Sequence, residues 1–215
     1  MGAPEERGGR GGPAVPAAET ASAPTSAEAV PPAARPRDRD PEDARAARAL
    51  IERLRGLSDP RELSDGLWEL GWIGHPVAID YLAGWIGDPR DRVVDAAIGA
   101  LEDIGGPEAA RAMGRAFALE GHEAAKLRAV EGLHYLRFEA PDVVVEELTR
   151  ALSDPSPAVR RDARLALVHF AGPREIARLW RAYRDESTDD LKRSELATVL
   201  RQLGETSIPA RPVAP

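Results

Sequence analysis

Trp72, Asp103, Tyr135 and His169 follow one another at intervals of 31, 32 and 34 residues. Two aromatic rings, a carboxylate and an imidazole in line suit the recognition of a protein or peptide. The rings anchor apolar and cationic groups, and the polar pair offers hydrogen bonds. Trp68 and Glu131 stand four residues before Trp72 and Tyr135, which puts each pair on one face of a helix. A plainer reading stands beside this one: a mixed polar face whose large side chains cover the joints between repeats. Trp68, Trp72 and Trp85 lie within eighteen residues and as a group suit packing at the start of the array. Trp72 is the member expected to face solvent.

Other chemistry has fewer handles. His75, His122, His134 and His169 show no i,i+4 pair and share no register, and the chain has no cysteine. No metal site, thiol chemistry or cofactor is therefore expected. The sequence contains no serine nucleophile elbow and no HExxH, so no catalytic residue is assigned. Gly8-Gly9-Arg10-Gly11-Gly12 has no strand before it or helix after it with which to hold a phosphate. Charge is uneven: Ser156–Arg184 carries a net +5, leaving −12 on the remainder of a chain whose total is −7. Arg174, Arg178 and Arg181, spaced four and three apart, form a basic stripe on one helix. Such a stripe is ordinarily a solvated face; phosphates or an acidic partner are the alternative.

The elements that position these residues recur. A leucine followed three residues later by a large apolar residue occurs at Leu70/Ile73, Leu101/Ile104, Leu133/Leu136, Leu167/Phe170 and Leu200/Leu203. Prolines follow four of these pairs, at Pro76, Pro107, Pro141 and Pro173, and Asp88-Pro89 and Asp154-Pro155 precede two of them. Each period divides into a short and a longer helix, and one such pair cannot bury its own apolar face. Asp40-Pro41-Glu42-Asp43 starts a first helix with a cap, a proline and acids, and Ala47, Leu50, Ile51, Leu54 and Leu57 form its stripe. No period-2 strand pattern occurs. The fold expected is all-α, a right-handed α-solenoid of about five helical hairpins and ten helices. Stacked helices sit about 8 to 10 Å apart, so the four spaced residues should form a ladder on its concave face.

The chain has 215 residues, 43% hydrophobic and only 5% aromatic, so alanine and leucine must fill the core. Between Gly2 and Ala49 there is no Leu, Ile, Phe, Trp or Tyr. Such a segment cannot offset its ordering entropy. Residues 1–39 are read as a disordered arm, a linker or else a docking motif or tether; 40–204 as the array; and 205–215 as a flexible tail. No apolar run is long enough to span a membrane, and the N-terminus lacks the apolar core of a secretory signal. A cytoplasmic monomer is the expectation. The acidic balance weighs against nucleic acid.

Asp154-Pro155-Ser156-Pro157-Ala158-Val159-Arg160-Arg161-Asp162-Ala163, ending at Leu167, resembles the HEAT-like repeat named after phycobilin lyases. Leu101-Glu102-Asp103-Ile104-Gly105-Gly106-Pro107 resembles its helix-ending turn, and the resemblance covers residues 59–204. It implies that the longer helices line the concave surface and that an arginine on each helps join adjacent repeats. That position reads Val94, Lys126, Arg160 and Arg193, so the first repeat departs from the pattern. The family contains scaffolds, chaperone-like lyases and enzymes. HEAT-like deoxyhypusine hydroxylases hold iron with several His-Glu pairs, whereas this chain has one, His122-Glu123. The expected function is a non-catalytic scaffold that binds a protein or peptide along the ladder. The alternatives are a lyase-like enzyme or chaperone, and a nucleic-acid binder loosely similar to the HEAT-like alkylpurine glycosylases. An enzyme would need Asp103 or Glu131 desolvated in a closed pocket; a scaffold leaves both open.

Overall fold

The computed structural model describes residues 40–208. The arm assigned to residues 1–39 and most of the tail lie outside the described residues. Within them are ten α-helices and no strand. Asp40 starts α1 (Pro41–Leu54) by accepting a hydrogen bond from the Glu42 amide at 2.8 Å, ahead of a proline that needs no partner for a missing N–H. Its buried stripe is Ala44, Ala47, Leu50, Ile51 and Leu54. Asp59 caps α2 (Pro60–Ile73) through the Arg61 and Glu62 amides, and Gly74, at φ 70°, ends it.

Short and long helices then alternate. A 3₁₀ turn at Pro76–Ala78 leads into α3 (Ile79–Ala83), followed by α4 (Asp91–Ile104), α5 (Gly106–Gly114) and α6 (Glu123–Tyr135). After them come α7 (Pro141–Ala151), α8 (Pro157–Phe170), α9 (Pro173–Arg184) and α10 (Asp190–Gln202). The even-numbered helices lie side by side in chain order as one layer; α3, α5, α7 and α9 form the second, and α1 covers the start. Neighbours in sequence are neighbours in space, the arrangement of an α-solenoid. Leu70, Leu101, Leu133, Leu167 and Leu200 are all fully buried between the layers. The residue three positions on is buried only at Leu136; Ile73, Ile104, Phe170 and Leu203, which like Leu136 stand at or just past their helix ends, are half-buried.

The joints between long helices differ. At α2–α4 the backbones meet: a Cβ at Gly71 would lie 2.7 Å from Ala100 Cα, and one at Gly99 would strike the Trp68 indole. Further along, the register carrying the expected arginine makes the joints with charge. Lys126 donates to Asp154 at 2.7 Å, reaching the turn of the next repeat. Arg160 donates to the carbonyls of Asp154 and Pro155 and to Glu195 of α10, and Arg193 to those of Asp185 and Thr188. Val94 is buried and apolar. There the turn holds itself: Arg90 grips both oxygens of Asp88, at 2.7 and 2.8 Å, and reaches the Ser58 carbonyl of the preceding turn.

Candidate binding face

Helix ends place the ladder. Trp72, Asp103, Tyr135 and His169 each lie within two residues of the C-terminus of α2, α4, α6 and α8, and all four are exposed. They share one rim of the even layer, as their common register requires. Trp72 is 72% exposed and Tyr135 64%, the two largest values among the big apolar side chains described. Helix C-termini carry the negative end of the helix dipole, so this rim favours cationic groups.

Trp68 and Glu131 behave differently from each other. Trp68 is half-buried over Gly99, sealing the α2–α4 joint. Glu131 is open to solvent, with Arg128 at 4.0 Å. Arg128 spends its charge mainly on Glu102 of α4, at 2.6 Å. One face of Trp68 remains accessible in a groove of roughly 870 Å³ between α1 and α2, shared with Trp72, Leu54 and Leu57. Glu62, Asp65 and Glu69 border it, and Arg53 crosses to Glu69 at 2.9 Å.

Two features of the rim escape the sequence reading. His134 and His169 meet, ring centroids 6.3 Å apart, and Phe170 lies 6.5 Å from His134 on the same side. Burial, then the Arg137 and His169 charges, hold His134 below its ordinary pKa. Phe138, 56% exposed beneath the Arg137 guanidinium at 4.2 Å, extends the apolar surface beyond Tyr135. Its signal was its place three residues after Tyr135, but the 3₁₀ turn Leu136–Phe138 that presents it has no periodicity to read. Leu165, also exposed, stands in the register of Trp68 on α8. The remaining histidines serve the backbone: His75 accepts from the Val77 amide, and His122 sits 2.7 Å from the Glu120 carbonyl.

The basic stripe lies on α9, in the other layer. Arg174 and Arg181 are exposed, but Arg178 is half-buried and bound to Asp142 of α7 at 2.6 Å. Much of the surrounding positive charge is engaged as well. Arg160 and Arg164 share Glu195, Arg161 pairs with Asp162, and Arg184 lies over the Trp180 ring. The stripe is thus part joint and part surface, and its free charge is smaller than the composition implies.

No described helix is long and apolar enough to cross a membrane. Human deoxyhypusine hydroxylase, solved in complex with glycerol, is similar over 77% of this chain and 76% of its own, at 19% identity and a TM-score of 0.35. No curated protein matches. The family model for HEAT repeats matches residues 46–133 and again 116–201. Those two overlapping stretches take in most of the chain and the whole ladder, and the chain belongs to the HEAT-repeat family.

Proposed function

We propose that this protein is a non-catalytic repeat scaffold that holds a protein or peptide partner along the C-terminal rim of its even helices. The observation that carries the reading is the exposure of Trp72 and Tyr135, 72% and 64%, in one register on α2 and α6, with α4 between them. Large aromatic side chains left in water on the same rim are a cost to the free protein and are the side chains that dominate interfaces. Asp103 is exposed and the Glu131 side chain is 74% exposed, the open setting of contact residues rather than that of a desolvated acid or base. The carboxylates of the rim weigh against phosphates, and a cytoplasmic monomer remains part of the proposal.

The test is capture by the full chain, with Trp72→Ala and Tyr135→Ala run in parallel and bound proteins identified by mass spectrometry. A partner retained by the parent and weakened by more than about 1 kcal/mol in both variants supports the reading. Partners held equally by all three proteins would place binding elsewhere.

A further inference from the structure

We propose that the partner segment held on the rim is basic: an extended stretch with arginine at alternate positions, laid from Trp72 across α4 to Tyr135. This deepens the scaffold reading and rests on it. The two exposed rings leave apolar surface in water, and the charge between them decides what can cover it. A guanidinium stacks on an aromatic ring and pairs with a carboxylate in the same contact.

The strip between the rings is electronegative. Helices α2 and α4 have no basic residue in their last turns, so no side chain there offsets the negative ends of their dipoles. Asp103 reaches α2: a Cβ at Gly71 would sit 3.2 Å from its Oδ2, which sets the carboxylate against the residue before Trp72. Between α4 and α6 one guanidinium faces three carboxylates. Arg128 meets Glu102 at 2.6 Å, Asp95 at 3.8 Å and Glu131 at 4.0 Å. Glu102 is mostly buried and takes the short bond, while Asp95 and Glu131 are exposed at longer range. Glu131 stands one turn before Tyr135. Beyond α6 the excess ends, because Arg161 pairs with Asp162 and Arg164 with Glu195. Neighbouring helices lie about 8 to 10 Å apart, so the two steps from α2 to α6 need about five or six extended residues at about 3.3 Å each. Side chains of an extended chain alternate between faces, so arginines at every second position all meet the rim.

The probe is a fluorescein-labelled nonapeptide of alternating arginine and serine, titrated into the full chain at about 0.1 M NaCl and followed by anisotropy. The parent should bind it and ignore the matching glutamate–serine peptide. Trp72→Ala and Tyr135→Ala should each weaken binding about fivefold. Neutralising the strip (Asp95→Asn, Asp103→Asn, Glu131→Gln) should weaken it about tenfold or more. Glu102 is kept so that Arg128 retains its closest partner, and circular dichroism confirms that each variant is folded. A control triple, Asp80→Asn, Glu108→Gln and Glu146→Gln, removes the same charge from exposed positions of the odd layer. It should change affinity less than about twofold, since distant charges are screened. Equal losses in the two triples would overturn the proposal, because binding would then follow net charge alone. So would a parent that does not bind the arginine peptide. A captured partner that needs Trp72 and Tyr135 but not the three carboxylates would overturn the basic segment and leave the scaffold standing.

Discussion

Lys126 Nζ lies 2.7 Å from Asp154 Oδ2, with the two side chains 6% and 1% exposed. The pair ties α6 to the turn that opens α8, and the other Asp154 oxygen accepts the Ser156 amide at 2.9 Å. Removing one member leaves the other charge buried and alone. Lys126→Ala should therefore cost about 3 to 5 kcal/mol in urea unfolding. The double change Lys126→Met with Asp154→Asn, which leaves no orphan charge and keeps an acceptor for Ser156, should cost clearly less. Equal losses would mean that the ion pair is not the origin of the effect.

Leu133 and Leu200 are both fully buried, yet their helices have different surroundings. Helix α6 is flanked by α4 and α8, whereas α10 has a long-helix neighbour, α8, on one side only. Leu133→Ala should cost about 2 to 5 kcal/mol, and Leu200→Ala less, because the end of a stack relaxes into a cavity more easily. Chemical denaturation of the two variants tests the order.

Glu147 is a buried carboxyl on α7, set against Gly114 and paired with Arg150. Burial raises its pKa above the ordinary 4.5, and the Arg150 charge offsets only part of that. With the native value raised, this group favours folding most at low pH. The contribution is lost as pH climbs from about 4.5 through the native pKa. Glu147→Gln cannot ionise, so its stability relative to the parent should rise across that window. A constant difference between the two from pH 4.5 to 7 would exclude the burial cost.

Gly99 has no room for a side chain beneath the Trp68 indole. Gly99→Ala should lower the melting temperature and shift tryptophan emission. Trp68→Ala combined with Gly99→Ala should be less destabilised than the sum of the single changes, a coupling that a double-mutant cycle measures.

Trp72→Ala should leave stability within about 0.5 kcal/mol, since the ring is mostly in solvent. Arg178→Glu should do the reverse, placing like charges together at the α7–α9 joint and lowering stability while sparing partner affinity at the rim. Calorimetry and titration of both variants against one captured partner separate the two roles.

Much of the architecture was legible because a buried stripe must repeat wherever helices stack: the five anchor leucines, the ten helices and the outward register of Trp72, Asp103, Tyr135 and His169 all follow from one period. What lay beyond that period was not. His134 and His169 differ by one position in register, and their meeting depends on how far α8 is shifted along α6. The pairing of Arg178 with Asp142 depends in the same way on α7 and α9. Trp68 and Trp72 share a helical face, but Gly99 beneath one and solvent around the other decide their roles. At Val94 the departure from the repeat was visible while its compensation was not, although Arg90 stands two residues after Asp88 in plain sequence.

The joint at Gly71 and Gly99 sets α2 and α4 backbone to backbone, while α8 and α10 are held through long charged side chains reaching Glu195. The first contact has almost no slack; the second can lengthen as a guanidinium changes rotamer. The array is therefore mechanically graded, stiff where Trp72 stands and compliant towards the C-terminal end. A bound chain would meet a rigid reference point first and an adjustable span afterwards.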